Sequence, residues 1–201
     1  MMNISRLAAG AGMTTLVAAA SLLLGSAGLS GVATASKGGS AENTLPGQYC
    51  TDNGGVVETR QAAYNTNGGP VLRLAGIRAF CRWTSASDGS RIYAGLDTLY
   101  TTYPSLAALA YYAQTQPGSC NGNPASCYCS LLGGTDLFGG INAAGGGWIK
   151  NNSVDRVLDS CIFPDDSTID SFGLFYHSAG IVRGIDLDGI LRYPNPYARK
   201  H

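Results

Sequence analysis

Residues 128–134, YCSLLGG, repeat the pattern of residues 49–55, YCTDNGG. This shared Y-C-x-x-x-G-G pattern is the main feature from which the fold is predicted. Each copy is followed by a second cysteine at nearly the same distance, 31 positions in the first copy and 32 in the second. An aromatic residue, a polar turn, a Gly-Leu pair and a tyrosine then follow in the same order in both copies. Matches in a constant order and at nearly constant spacing indicate an internal duplication.

Helix signals flank each copy. Asn123 and Pro124 are typical N-cap and first-turn residues, so residues 125–132 are predicted to form a short helix that ends at Gly133. Residues 167–170, STID, match a capping box, which predicts that a second helix begins there.

Strands are predicted between these helices. Residues 56–59 are rich in β-forming side chains, and residues 78–83 alternate charged or small with apolar residues. The predicted fold class is therefore α+β, with two pseudo-symmetric, disulfide-braced modules, each helix-strand-strand-helix, packed as one compact unit. An additional helix is expected at residues 105–114, and loops at residues 65–70 and 139–147.

The duplication also sets the expected domain boundaries. Residues 46–116 form the first module and residues 117–178 the second. Residues 36–45 are expected to be a disordered N-terminal segment, and residues 179–201 a C-terminal tail with a candidate hairpin.

The N-terminus has the pattern of a secretory signal. Arg6 is the sole charge before Lys37, an apolar stretch follows, and residues 33–35, ATA, match a signal-peptidase site. We expect residues 1–35 to be a signal peptide, cleavage of which leaves no transmembrane segment. An uncleaved anchor is the alternative, but glycine and serine dilute the apolar stretch. The expected location is the periplasm, the cell surface or the extracellular space.

All six cysteines follow residue 35, and an even number of cysteines in an exported chain favours disulfides. Equivalent cysteines of the two copies should each close a bridge inside their own copy. Two positions apart on a helix, Cys127 and Cys129 point to nearly opposite sides, whereas Cys120 can fold back onto Cys127. The predicted pairs are Cys50–Cys81, Cys129–Cys161 and Cys120–Cys127. A zinc site of Cys120, Cys127, Cys129 and Cys161 is the alternative, although the spacing lacks paired C-x-x-C motifs.

Charge and composition narrow the function classes. The formal net charge is zero, with 13 basic and 13 acidic residues, and no basic tract is present, which argues against a nucleic-acid partner. Charged residues make up 13% of the chain, about half of the ~25% that is usual for soluble domains.

No residue pattern indicates catalysis, a cofactor or a metal, so none is predicted. His177 could act as a general base, but no nucleophile motif accompanies it, and a cap or surface role is expected instead. Pairs of aspartates at 165–166 and 186–188 could suggest calcium, but turn chemistry accounts for them. Tyr193 and Tyr197, in a proline-rich segment, are candidates for a contact surface.

The second copy resembles a small bacterial family of cell-envelope proteins of unknown function that are often labelled haemolysins. Its residues 123–134, NPASCYCSLLGG, and 161–167, CIFPDDS, follow the family's pattern N-P-A-x-x-Y-C-x-x-x-G-G and C-x-F-P-D-G-S. Asp166 replaces the family's glycine, and the cysteine that follows the serine is missing. The resemblance covers about residues 121–178 well and 46–100 loosely. It implies an exported envelope protein and supplies no catalytic residues.

The expected function is that of an exported, non-enzymatic structural or binding protein. Its partner would be another envelope or extracellular protein or a glycan. Two other classes stay open: a small secreted hydrolase built around His177, and a secreted inhibitor or toxin-like factor.

Overall fold

Seven strands and five α-helices account for the regular structure of the described residues, 40–136 and 144–198 of the computed structural model. In chain order these are α1 (Leu45–Asp52), β1 (Val56–Tyr64), β2 (Leu72–Thr84), β3 (Arg91–Gly95), α2 (Leu96–Tyr100), α3 (Leu106–Ala113), α4 (Pro124–Leu131), β4 (Gly146–Ile149), β5 (Val157–Leu158), β6 (Ser160–Ile162), β7 (Thr168–Asp170) and α5 (Ser171–Ser178). The predicted signal peptide and residues 36–39 lie outside the described residues.

The strands form one antiparallel sheet in the order β5-β4-β1-β2-β3-β7-β6. Its two outermost strands, β5 and β6, are separated along the chain by a single residue, Asp159. Since consecutive Cα atoms lie about 3.8 Å apart, the two edges of the sheet must meet at Asp159. The sheet is therefore rolled, and it has an inner and an outer face.

Alternation along the strands assigns side chains to the two faces. The outer face carries Val57, Cys81, Ile92 and Ile169, which pack with residues of the helices in the main core. The inner face carries a smaller cluster of Ala62, Phe80, Tyr93, Trp148 and Leu158, with Ile162 packed against it. Members of that cluster come from both edges and from the centre of the sheet, as the rolled shape requires.

The six cysteines are bonded in the three predicted pairs, Cys50–Cys81, Cys120–Cys127 and Cys129–Cys161. The two long bridges each join a helix to a strand and lie in the main core, where all four cysteines are fully buried. The short bridge joins the loop before α4 to the first turn of that helix.

The two glycines of each Y-C-x-x-x-G-G pattern have separate physical roles. The first glycine adopts a left-handed conformation, φ +75° at Gly54 and +84° at Gly133, and ends the preceding helix. The second lies against the long disulfide. A Cβ atom at Gly55 would lie 2.2 Å from the Sγ atom of Cys81, and one at Gly134 would lie 2.4 Å from that of Cys161.

We therefore expect Gly134→Ala to destabilise the protein by about 1–3 kcal/mol, because the sulfur it meets is held by its disulfide and cannot move aside. Chemical denaturation measures the effect. Gly118→Ala is the matched control, since no atom lies within 4 Å of its Cβ position. Equal stability of the two variants would contradict the proposed close packing.

Several sequence predictions match the observed elements. Asn123 caps α4, accepting hydrogen bonds from the amides of Ala125 and Ser126, and the extra helix appears as α3, capped by Ser105. The predicted strands lie within β1 and β2. The fold is mixed helix and sheet, as expected.

Other predictions are wrong. Each copy was predicted to contain two strands, but the first contains three, since β3 follows the Ser-Asp-Gly-Ser turn directly, and the second contains four, β4 to β7. Residues 167–170 form no capping box: β7 begins at Thr168, and α5 begins at Ser171 with Asp170 as its N-cap. The loop predicted at residues 139–147 gives way to β4 at Gly146, and residues 137–143 lie outside the described part.

The two ends of the described chain also differ from the prediction. Residues 40–45, expected to be disordered, include a 3₁₀ turn at Ala41–Asn43 that precedes α1, with Ala41 packed against the main core. The tail up to residue 198 contains no strand and therefore no hairpin. It forms a 3₁₀ turn at Leu187–Gly189, where Leu187 is fully buried.

Candidate functional site

A buried ion pair lies inside the rolled sheet. Glu58 and Arg60 are two residues apart on β1, so their side chains share the inner face. Both are almost fully buried, and Arg60 is 1% exposed. The Nη2 atom of Arg60 lies 2.7 Å from Oε2 of Glu58.

The remaining hydrogen-bond donors of Arg60 are also satisfied. Its Nη1 atom donates to the backbone oxygens of Trp148 and Asp155, at 3.1 and 2.8 Å. Its Nη2 atom donates to the hydroxyls of Tyr93 and Ser153, at 3.2 and 3.0 Å. Arg60 therefore fastens the turn between β4 and β5, residues 150–156, across the open end of the rolled sheet.

Glu58 faces two further cations. The Nε atom of Arg82 lies 3.2 Å and the Nζ atom of Lys150 lies 3.8 Å from its Oε1 atom. The Arg82 contact is an ion pair without an aligned hydrogen bond, since that Nε is a buried donor without a hydrogen-bond partner among the described residues. Three cations around one carboxylate give the inner face a positive excess.

Asp155 connects this network to the surface. Its carboxylate accepts two hydrogen bonds from Arg91, at 2.6 and 2.9 Å, and one from the Tyr93 hydroxyl at 2.6 Å. Burial opposes its ionisation, but the hydrogen bonds from Arg91 and Tyr93 and the charges of Arg91 and Arg60 outweigh burial, so the pKa of Asp155 lies below its ordinary value. Asp155 is therefore an anion at neutral pH.

A pocket of about 130 Å³ opens beside Asp155, at the seam where β5 and β6 meet. We call it the seam pocket. Its charged lining residues are Arg91, Arg183, Asp155, Asp159 and Asp170, and its apolar wall consists of Tyr93, Val157, Leu158 and Phe172.

Two of the seam-pocket carboxyl groups, those of Asp170 and Asp159, have pKa values above the ordinary range. Burial raises the pKa of Asp170 to about 7, although the amides of Gly173 and Phe172 and the charge of Arg183 lower it. Burial, together with the charge of Asp136, raises the pKa of Asp159 to about 6. The charge of this pocket therefore changes between pH 5 and 8, whereas Asp155 stays ionised throughout.

Arg183 is the cation of this pocket that has free donors. Its Nε atom donates to the backbone oxygen of Arg91 at 3.2 Å, and its guanidinium lies over the Tyr176 ring. Its two terminal nitrogens meet no hydrogen-bond acceptor in the described part of the chain. In Arg91, by contrast, each of the three nitrogens already donates one hydrogen bond, two to Asp155 and one to the backbone oxygen of Gly89.

His177, the candidate general base, lies elsewhere. Its ring is 6% exposed and stacks on Tyr111 with centroids 3.8 Å apart, so the expected cap or surface role is wrong. Gln114 donates to its Nε2 atom at 2.9 Å, and its Nδ1 atom is a buried nitrogen without a partner among the described residues. Burial lowers the pKa of His177, outweighing the charges of Asp186 and Asp188. A stacked, enclosed imidazole has no room for a substrate.

The other candidate residues are engaged in structure. Asp165 accepts from the amide of Leu106 at the start of α3, and Asp186 accepts from the amide of Asp188 and the hydroxyl of Tyr111. In residues 40–136 and 144–198, no three His, Cys, Asp or Glu side chains are grouped as metal ligands would be.

Tyr193 and Tyr197, the predicted contact pair, have unequal environments. Tyr193 is half-buried against the main core, whereas Tyr197 is 57% exposed. A contact role for this pair stays a prediction.

The seam pocket was not predicted from the sequence because its residues are scattered from position 91 to position 183. A local signal did exist for the polar inner face, although not for the pocket itself. Glu58 and Arg60, and likewise Arg78 and Arg82 around Phe80, repeat with the period of a strand, and charges on alternate positions of a predicted strand indicate a polar inner face.

No family model, no curated protein and no solved structure matches the chain. Within the described part of the chain, every helix falls short of the length and apolarity that a membrane crossing requires.

Proposed function

We propose that this protein is an exported, non-enzymatic binding protein that holds a small carboxylate in the seam pocket. The observation that carries the proposal is the Arg183 guanidinium, which lines the pocket with its terminal nitrogens unengaged. A guanidinium presents parallel N–H donors that match a carboxylate. The pocket, at about 130 Å³, suits a ligand of only a few heavy atoms.

Three disulfides support the export part of the proposal. All six cysteines are paired, and such pairing persists in oxidising compartments rather than in the cytosol. We place the protein in the periplasm, at the cell surface or outside the cell.

We further infer that the fold arose by duplication and contains two pseudo-symmetric modules. Each helix–GG segment has the same hydrogen bond, from Gly55 to the Cys50 oxygen (2.9 Å) and from Gly134 to the Cys129 oxygen (3.0 Å). The hairpins β2–β3 and β6–β7 are adjacent in the sheet and are joined by the antiparallel pair β3–β7. This arrangement is consistent with a pseudo-two-fold axis between β3 and β7.

The turns of the two copies support the same inference. Asp88 accepts from the amide of Ser90 as Asp165 accepts from that of Ser167. Between them, Gly89 (φ +70°) and Asp166 (φ +62°) are both left-handed. Asp166 thus occupies a conformation suited to the glycine of the envelope family, which supports the proposed relationship to that family.

Asp170 is expected to regulate binding. When ionised, it offsets the charge of Arg183 and repels an anionic ligand, whereas its protonated form adds no negative charge to the pocket. Because its pKa is about 7, the affinity for a carboxylate should rise by roughly tenfold from pH 8 to pH 5.5. Isothermal titration calorimetry with acetate, malonate, succinate and glutarate measures this dependence.

Matched variants test the assignment. Asp170→Asn preserves the helix cap and should reduce the pH dependence to the part that Asp159 contributes, while Arg183→Gln should lose binding. Arg192→Gln removes the same charge from a side chain over the Tyr100 ring and should bind as the unmodified chain does. If diaminopropane binds in place of the carboxylates, or if Arg183→Gln binds normally, the proposal is wrong.

A further inference from the structure

The short disulfide differs from the two long ones in its exposure. Cys120 is exposed and Cys127 is half-buried, whereas the four cysteines of the long bridges are fully buried. A thiolate must reach a disulfide sulfur to exchange with it, so only the short bridge is open to attack in the folded protein.

A groove of about 310 Å³ leads to this bridge. Both of its cysteines line the groove, together with Pro117, Pro124, Leu131 and Phe175. None of the residues that line the groove carries a charge. An apolar approach without fixed charge admits a neutral dithiol and does not repel its thiolate.

Hydrogen-bond acceptors for the two thiols of the reduced state are already in place. The Sγ atom of Cys120 lies 3.7 Å from the backbone oxygen of Asn123, and that of Cys127 lies 3.7 Å from the backbone oxygen of Asn121. Disulfide sulfurs carry no hydrogen, so these are sulfur–oxygen contacts at present. After reduction, each S–H group has an acceptor where it already stands.

The fold does not depend on this bridge to hold α4. The helix is anchored to β6 by Cys129–Cys161, and the Tyr128 hydroxyl donates to the Thr115 backbone oxygen at 2.5 Å. Gln116 donates to the backbone oxygen of Ser178, which attaches the preceding segment to α5.

We propose that Cys120–Cys127 is a thiol–disulfide exchange site that accepts two electrons from a dithiol while the other two bridges stay closed. One thiolate of the dithiol attacks the exposed Sγ of Cys120, the S–S bond breaks, and Cys127 leaves as a thiolate. Cys127 is the better leaving group because it lies in the first turn of α4, where the helix N-terminus stabilises negative charge.

The second thiol of the dithiol then attacks the first sulfur of the same dithiol molecule, which is bonded to the Sγ atom of Cys120 in the mixed disulfide. Cys120 leaves as a thiolate, and both cysteines take up the two protons that the dithiol releases. The dithiol ends as a disulfide, so two electrons and two protons have been transferred.

Reduction of the folded, exported chain by dithiothreitol tests the site. After timed quenching with iodoacetamide, peptide mapping should show Cys120 and Cys127 alkylated at least tenfold faster than the other four cysteines. Circular dichroism should stay unchanged at that stage. If the three bridges open together, or if the folded signal is lost as the short bridge opens, the proposal is wrong.

A monothiol identifies the attacked sulfur. Glutathione has no second thiol with which to release Cys120 from within the same molecule, so the mixed disulfide trapped by acid quenching should carry glutathione on Cys120; an adduct on Cys127 would overturn the assigned direction. In single variants, the free Cys127 of Cys120→Ser should alkylate at lower pH than the free Cys120 of Cys127→Ser. Equal pH profiles would refute the leaving-group assignment.

Discussion

Replacing Cys129 and Cys161 together by alanine is expected to lower the free energy of unfolding by about 3–4 kcal/mol, the chain-entropy value for a loop of about thirty residues. Domains of this size have only about 5–15 kcal/mol of stability in total. The loss should therefore appear as a large fall in the midpoint of chemical denaturation.

The effect should extend over the whole of residues 40–198 and should not be confined to the second copy. The long bridges share one core with Trp83, Ile92 and Leu174, and β3 of the first copy pairs with β7 of the second. A single cooperative transition, with fluorescence and circular dichroism changing together, is the expected observation.

Cys120→Ala with Cys127→Ala is the matched control. The Cys120–Cys127 bridge closes a loop only 7 positions long, for which the same chain-entropy relation gives a loss of about 2–3 kcal/mol. Removing this bridge leaves no cavity in the main core. Should the control be destabilised as much as the long-bridge variant, burial of the bridge would not matter as argued. Two separate transitions would instead show that the copies fold independently.

Local chemistry explains what the sequence could predict. Cap residues such as Asn123 act within one turn, and the cysteine pairs were predicted from the repeated Y-C-x-x-x-G-G pattern, with each long bridge placed between the two cysteines that follow that pattern. Gly133 predicted the end of its helix correctly, because a left-handed conformation is a property of the residue's own backbone.

The errors arose where distant residues decide the structure. Residues 167–170 have the composition of a capping box, but residues 168–170 pair as a strand with β6, and Ile169 also pairs with Ala94 of β3. From its sequence neighbours His177 is predicted to lie at the surface. In the fold its ring is covered by Tyr111, which lies 66 positions earlier in the chain. The seam pocket depends on the rolled sheet, and no local pattern encodes the meeting of β5 with β6.

The same rolled sheet makes Arg60 the side chain whose loss should cost most. Arg60→Met keeps the length of the side chain but leaves Glu58 without its closest cation and removes the hydrogen bonds to the backbone oxygens of Trp148 and Asp155. Breaking a buried ion pair from one side costs about 3–5 kcal/mol. The lower part of that range is expected here, because Arg82 and Lys150 still face the Glu58 carboxylate. Urea denaturation should show this loss.

Arg73→Met is the matched control. Arg73 lies on β2 and donates to the side-chain oxygens of Gln61 and Asn151, but it is exposed, so its replacement should cost less than about 1 kcal/mol. Equal costs for Arg60→Met and Arg73→Met would show that the inner ion pair contributes nothing.

Arg60 also connects stability to the seam pocket. Its bonds to the backbone oxygen of Asp155 and to the Ser153 hydroxyl hold the turn that presents the Asp155 carboxylate to Arg91 and Tyr93. In Arg60→Met this turn should loosen, and carboxylate binding should weaken even at temperatures where the variant is fully folded. Normal binding by the folded variant would place the ligand away from Asp155, whereas weakened binding would show that the buried pair positions the wall of the pocket.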